Sequence, residues 1–235
     1  MTAIANRVTF GDIISGTSRL VRDHPGPIAA YALGMAAITT AISAAKGGGS
    51  FSGAGVIVTF VASYFLTEVL LRREGQLADP GFRRRIGAYV GASLLAALGA
   101  LAGTLLFVVP GLILLARWSI APAMIVGERL GVMESLRASW EATRPSQWQI
   151  VLAYVALVFV VIAIAGALTG GAMFSFGEAI LEDEGSPLTW NLQTNVVNFA
   201  IEVTAEFASA CSTAMTVAIM LVLRPSSISL NAVFE

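Results

Sequence analysis

Long apolar runs alternate with short polar breaks along the whole chain, and this pattern predicts a bundle of membrane-spanning α-helices. An α-helix needs about 20 apolar residues to cross a bilayer, and six runs come close to that length. A cleaved signal peptide is not expected, because the first long run begins only near Pro27 and is nearly span length itself. We predict one membrane domain over 1–235, with spans at 27–45, 56–71, 86–109, 112–126, 148–168 and 196–223.

Two shorter segments, 8–22 and 132–144, carry apolar residues on one helical face and most of their charges on the other. They are too short and too polar to span, so we expect amphipathic helices that lie in the membrane interface. A disordered N-terminal arm is the alternative for the first segment. The predicted fold is an all-α integral membrane protein: a six-helix transmembrane bundle with two amphipathic interfacial helices on its cytoplasmic face. The apolar face of the first consists of Val8, Phe10, Ile13, Ile14, Thr17, Leu20 and Val21, and that of the second of Val132, Met133, Leu136 and Trp140.

Three features predict where the later spans end or bend. Pro110 should end the third span, because the residue before a proline is biased out of helical geometry. Pro122 lies inside the short fourth run and removes a backbone hydrogen bond, so a kink is expected there. The Gly-flanked acidic segment 169–194 is expected to be an outer loop.

Composition supports the membrane class and gives no sign of an enzyme. Hydrophobic residues make up 56% of the chain and charged residues 12%, against about 25% charged in soluble domains. The single cysteine, Cys211, excludes an internal disulfide and a cysteine-rich metal site. The single histidine, His24, has no second ligand at metal-binding spacing, and no catalytic or phosphate-binding motif is present. We therefore expect neither a metal nor a cofactor, and no enzymatic activity.

The basic residues are distributed asymmetrically, which predicts the topology. Positive charge accumulates on the cytoplasmic side of membrane proteins. With six spans and a cytoplasmic N-terminus, both termini are cytoplasmic and Lys46 is the only basic residue in an outer segment. The arginine runs are then explained by topology and by anionic lipids at the cytoplasmic face, and nucleic acid is not an expected partner. The arginines assigned to the inner side are Arg7, Arg19, Arg22, Arg72, Arg73, Arg83, Arg84, Arg85, Arg129, Arg137, Arg144 and Arg224.

The stretch from 107 to 148 carries a resemblance to a known family. Its short motifs are FVVPG at 107–111, AP at 121–122, GERLG at 127–131 and ESLRAS at 134–139. They resemble the glycerophosphoryl diester phosphodiesterase membrane-domain family and its YciC-type bacterial inner-membrane relatives. The resemblance implies a multi-pass helical protein of the bacterial inner membrane. Some relatives are fused to a soluble phosphodiesterase domain; the 235 residues leave no room for one, so we do not expect diesterase chemistry. The motif residues singled out are Pro110, Gly111, Pro122, Glu128, Arg129, Gly131 and Ser139.

Charged residues inside predicted spans are candidates for a functional site or for a structural ion pair. We expect Arg117 to pair with Glu206, which counting from Arg224 places in the outer part of the membrane; outward snorkelling of Arg117 is the alternative. Glu68 can reach either the interface or Arg72. The sixth span is polar along one side, which can line a wet cavity or hold helices together. That side carries Asn195, Asn198, Glu202, Glu206, Ser209, Thr213 and Thr216.

Two hypotheses for function follow. In the first, the protein has an accessory or structural role in a membrane complex or in envelope homeostasis, with a membrane-protein partner or a second copy of itself. In the second, it is a small transporter or permease that uses a polar intramembrane site around Arg117, Glu202 and Glu206. They differ in whether the polar side of the sixth span meets protein or water.

Overall fold

The computed structural model describes residues 8–45, 53–77, 85–182 and 187–223. These residues form helices and contain no strand, and six stretches are long and apolar enough to cross a membrane. The all-α, six-span fold class is therefore confirmed, whereas the interfacial position of the two amphipathic helices stays a prediction. The helices are α1 (Phe10–Asp23), α2 (Pro25–Ala45), α3 (Gly53–Arg73), α4 (Ile86–Leu106), α5 (Val108–Trp118), α6 (Ala121–Gly127), α7 (Val132–Thr143), α8 (Gln147–Glu182) and α9 (Pro187–Leu223).

Helix α9 is the centre of the bundle and packs against α1, α2, α3, α6 and α8. Small residues on its second half allow this crowding. Ala210, Ala214 and Ala218 are all buried, and a Cβ on Gly16 of α1 would lie 3.4 Å from the Cβ of Ala218. Without a hydrophobic drive between helices in lipid, such close packing is a principal source of association.

Helices α4 and α5 form a tight antiparallel hairpin built on glycines. A Cβ added to Gly103 would lie 2.9 Å from the Cα of Gly111, and one added to Gly111 would lie 2.6 Å from the backbone nitrogen of Thr104. Both distances are shorter than van der Waals contact, so each backbone occupies the space that a side chain would need. The pair shows the glycine-mediated approach that is common between helices in membranes.

The prediction that Pro110 ends the third span is wrong. Helix α4 ends at Leu106, Phe107 is extended, and α5 begins at Val108. Pro110 thus lies in the first turn of α5, where a missing N–H leaves no helical hydrogen bond unmade. The proline starts the return helix instead of stopping the outgoing one.

The fourth span is a broken helix. Helix α5 stops at Trp118, Ser119 and Ile120 form a turn, and α6 starts at Ala121 with Pro122 in its first turn. The kink expected at Pro122 is therefore present as a complete break just before it. The two pieces together still form a candidate span, Val109–Gly127.

The predicted outer loop at 169–194 is wrong over most of its length. Helix α8 continues to Glu182 and α9 already begins at Pro187, so that only 183–186 fall outside the described residues. Glycine in a helix interior costs about 1 kcal/mol relative to alanine. The cost of the two glycines at 170–171 is outweighed by the helix propensity of the residues around them. The loop prediction gave that propensity too little weight.

Both amphipathic segments are helical, although their buried faces differ from the predicted ones. A reciprocal pair of hydrogen bonds between Thr9 and Asp12 caps α1, and the Thr9 hydroxyl holds the pKa of Asp12 below its ordinary value. Phe10 and Ile14 are exposed on α1, whereas Ile13 is buried. In α7 the buried residues are Ser135, Leu136, Ser139 and Thr143, while Met133 and Trp140 are exposed.

Candidate intramembrane site

A cluster of hydroxyl groups joins three helices inside the bundle. The Tyr31 hydroxyl on α2 lies 3.1 Å from the Ser63 hydroxyl on α3 and 3.0 Å from the Ser209 hydroxyl on α9. Tyr31 and Ser63 are buried. One tyrosine therefore connects α2 to both neighbouring helices, and sequence reasoning missed it because these contacts join residues far apart in the chain.

Glu206 lies three residues before Ser209, next to this cluster. Its side chain is 8% exposed, and its Oε2 atom has no hydrogen-bond partner among the described residues. The carboxyl group interacts electrostatically with Tyr31 and with Glu202, four residues earlier and half-buried. A buried carboxyl oxygen without a donor is costly unless the group binds a proton or a cation. The arrangement can hold either one.

The level of Glu206 relative to Arg72 of α3 follows from the contacts of its neighbours. Ser63 and Ser209 lie at one level, because both contact the Tyr31 hydroxyl. Ser63 is nine residues before Arg72, which corresponds to about 14 Å along a helix. Glu206 is one turn further on, roughly 18 Å from the level of Arg72, within a hydrocarbon core of about 30 Å.

The other polar residues of α9 form hydrogen bonds mainly within α9 or to a neighbouring helix. The Thr213 hydroxyl donates to the carbonyl of Ser209 at 3.0 Å. The Thr216 hydroxyl lies 3.0 Å from the Tyr154 hydroxyl of α8. Asn198 lies in α9, but its side chain is outside the described part of the structure. Ser209, Thr213 and Thr216 are half-buried, and their hydroxyl groups are all hydrogen-bonded within α9 or to a neighbouring helix.

The predicted ion pair between Arg117 and Glu206 is wrong. The Arg117 Nη1 atom donates to the Trp140 carbonyl at 2.9 Å, and the guanidinium lies 4.7 Å from the centre of the Trp140 ring. Among the described residues, no carboxylate lies within ion-pair distance of Arg117, and its buried Nε atom has no hydrogen-bond partner. The side chain is 9% exposed, so it does not snorkel freely either. The break after Trp118 turns this arginine toward α7, a helix that the sequence had placed flat on the membrane surface.

Two hydroxyl groups of α7 stabilise the broken fourth span. The Ser139 hydroxyl donates to the Arg117 carbonyl at 2.6 Å. The Thr143 hydroxyl donates to the Ser139 carbonyl at 2.8 Å and also lies 3.3 Å from the Arg117 carbonyl. Both side chains are completely buried. A helix break inside a membrane leaves carbonyl groups without their usual donors, and they must find others in the protein. The buried hydroxyls of α7 supply them.

Glu68 pairs with Arg72, which confirms one of the two alternatives for this residue. The two side chains are 2.9 Å apart and one helical turn apart on α3. Glu68 is 4% exposed, whereas Arg72 reaches the surface. The pair thus neutralises a buried carboxylate at the arginine-rich end of the bundle.

The motif residues lie at breaks and turns of the bundle, where their contacts stabilise the fold. Arg129 has a positive φ of 58°, which an L-residue adopts only in a tight turn. Its carbonyl accepts a hydrogen bond from the Arg85 guanidinium at 2.9 Å. The Gly131 N–H donates to the Glu134 carboxylate at 3.2 Å and so caps α7. Glu128 and Arg129 connect α6 to α7, Pro110, Gly111 and Pro122 shape the fourth span, and Ser139 fixes α7 to it.

An apolar groove between α2 and α3 was not predicted. It has a volume of about 390 Å³ and runs from Pro27 and Val69 to Ile38 and Ala62. The signal in the sequence was weak: Ala30 and Gly34, four residues apart, leave space on one side of α2. No group of three or more potential metal ligands occurs in the described ranges.

These features define a multi-pass α-helical membrane protein in which Glu68, Arg117 and Glu206 are buried within the bundle. The family model for the membrane domain of glycerophosphoryl diester phosphodiesterase matches residues 87–231, which is more than half of the chain and covers α4, apart from its first residue, through α9. The chain belongs to this family, and the resemblance found in the motifs is confirmed. No curated protein and no solved structure matches it.

Proposed function

We propose that the protein is a non-enzymatic accessory or structural component of the bacterial inner membrane, with a role in a membrane complex or in envelope homeostasis. One observation carries this proposal: the described hydroxyl groups of α9 are engaged in contacts within and between helices. Ser209 and Thr216 each contact a tyrosine of another helix. Groups used in this way favour a rigid bundle over a polar path.

The family supports the same conclusion. Its description is of a membrane domain, the part of a phosphodiesterase that lies in the bilayer. A family described as the membrane domain of a phosphodiesterase fits an accessory role here. We expect the partner of this chain to be another membrane protein or a second copy of it.

Water accessibility along α9 tests the proposal. In a Cys211→Ser background, single cysteines at Ser209, Thr213 and Thr216 are expected to react with a charged thiol reagent at under a tenth of the rate of Glu141→Cys, which lies on the exposed face of α7. The reaction is measured in permeabilised membranes, so that both sides are reached. Fast labelling at all three α9 positions would reveal a continuous wet path and overturn the proposal.

One observation favours the second candidate, a small permease: the buried Glu206 carboxyl group with an unpartnered oxygen. A group that binds and releases a proton or cation is common in transport sites. The labelling experiment separates the two functions, because a permease requires water to reach Ser209 from one side.

The orientation is a further part of the proposal, with both termini cytoplasmic. Its support is the clustering of arginines at one end of the bundle, where Arg19 contacts Glu74 and Arg85 contacts the Arg129 carbonyl. A cysteine at Ser50 should react with an impermeant thiol reagent added to intact cells, and one at Ser226 only after permeabilisation. The opposite pattern would reverse the orientation.

A further inference from the structure

We propose that the groove between α2 and α3 binds one anionic phospholipid, with an acyl chain in the groove and the phosphate at Arg22 and Arg73. This site is independent of the accessory role and would exist equally in a permease. It rests on the shape of the groove, on its length and on the charges at one of its ends.

The groove has the chemistry of an acyl-chain site. Apart from Tyr31, whose hydroxyl group is already bonded to Ser63 and Ser209, the side chains that line it are apolar. A Cβ on Gly34 would meet no atom within 4 Å, so the wall is open at its middle. Nothing in the groove offers a hydrogen bond to a polar ligand, and a hydrocarbon chain needs none. The principal lining residues are Pro27, Ala30, Gly34, Ile38, Phe65 and Val69.

The length of the groove matches one leaflet of a bilayer. It extends from Pro27 to Ile38, eleven residues of α2, which is about 16 Å at 1.5 Å per residue. Half of a hydrocarbon core of about 30 Å is 15 Å. A single acyl chain therefore fits along it from the interface to the bilayer centre.

The end of the groove at Pro27 and Val69 is strongly basic. Val69 is one turn before Arg72, and α1 meets the end of α3 there, because Arg19 and His24 both contact Glu74. Arg72 is paired with Glu68 and Arg19 with Glu74. Arg22 and Arg73 are exposed and form no ion pair with any described residue. Exposed guanidinium groups at this end can bind an anion such as a lipid phosphate.

The basic residues at this end favour an anionic phospholipid over other possible occupants of the groove. A transmembrane helix of a partner would present apolar side chains to the groove but would gain nothing from the two exposed guanidinium groups. A zwitterionic lipid fills the groove equally well and gains less from the arginines. Basic pockets between helices at the cytoplasmic side are known to bind anionic headgroups, and each arginine near the surface strengthens binding about fivefold.

The experiment measures lipid binding to the full-length protein in detergent by native mass spectrometry. Palmitoyl-oleoyl phosphatidylglycerol and the matching phosphatidylethanolamine are titrated separately. For the wild type we expect one tightly bound phosphatidylglycerol, with an affinity about tenfold or more above that for phosphatidylethanolamine. Equal affinities for the two lipids would overturn the assignment of the headgroup.

Two matched pairs of variants locate the site. Gly34→Leu fills the groove and is expected to weaken the tight binding of phosphatidylglycerol at least tenfold, while Gly166→Leu, at an equally open glycine on α8, leaves it unchanged. The double variant Arg22→Gln with Arg73→Gln should abolish the preference for phosphatidylglycerol, whereas Arg137→Gln on α7 should keep it. Thermal unfolding without added lipid checks that all variants fold. Unchanged lipid binding in Gly34→Leu would refute the site. The site would also be refuted if the wild type were a dimer and Gly34→Leu alone made it monomeric, because a second copy of the chain would then occupy the groove.

Discussion

Gly111→Leu is expected to disrupt the α4–α5 hairpin and to lower the stability of the protein more than any other single change we consider. A Cβ at this position meets the backbone of Thr104 at 2.6 and 2.8 Å, and backbone cannot move aside as a flexible side chain can. Overpacking a well-packed core costs about 1–3 kcal/mol and more where the backbone must shift. We expect a loss of about 3 kcal/mol or more, measured as a fall of roughly 10 °C in the midpoint of thermal unfolding in detergent.

A leucine at Gly87 is the control for this change. Gly87 is also a helical glycine of the hairpin, but a Cβ there meets no atom within 4 Å. Replacing an exposed helical glycine improves helix propensity by up to about 1 kcal/mol. Gly87→Leu should therefore be neutral or slightly stabilising. If both variants unfold at the wild-type temperature, the close approach of α4 and α5 does not exist in the membrane protein.

Arg117→Ala is expected to destabilise the protein by about 2 kcal/mol, because it removes a charged hydrogen bond to α7 and the contact with the Trp140 ring. Loss of an uncompensated charge from the membrane partly offsets this effect. Trp140→Leu keeps the backbone carbonyl and removes only the ring. The two changes should therefore be coupled, with an interaction free energy of about 1 kcal/mol in a double-mutant cycle.

Glu206→Gln provides the comparison for this cycle. Since Arg117 and Glu206 form no ion pair, their effects on unfolding should add within about 0.5 kcal/mol. A clear recovery of stability in Arg117→Ala combined with Glu206→Gln would instead show that the two charges interact. Additivity in both cycles would show that the Trp140 ring does not interact with Arg117, but it would not bear on the hydrogen bond to the Trp140 carbonyl, because Trp140→Leu keeps that carbonyl.

The membrane class, the six spans and the charged residues within them could all be predicted from the sequence, because hydropathy is a local property. The ion pair of Glu68 is local in the same sense, because its partner Arg72 is one turn away in the same helix. Arg117 shows the opposite. Its contact with Trp140 depends on where a helix breaks and how the next one folds back, and neither is encoded in the hydropathy of the segment.

The candidate site was predicted in part for the same reason. Glu202, Glu206 and Ser209 share one side of a helix, which spacing alone reveals. Tyr31 and Ser63, which complete the cluster, come from two other helices and required the packing to be known. The acidic segment at 169–194 was misassigned because two adjacent glycines, 170–171, were read as the end of a helix that continues through them.

The contact between α7 and the broken fourth span also has a consequence for the biogenesis of the protein. While the chain is being made, α4, α5 and α6 leave the ribosome before α7 does. At that stage the Arg117 carbonyl has not yet met the hydroxyls of Ser139 and Thr143, and a helix break is poorly tolerated in lipid alone. The fourth span thus becomes a stable occupant of the bilayer only after synthesis has passed Thr143, so that insertion of this segment is completed by residues that follow it.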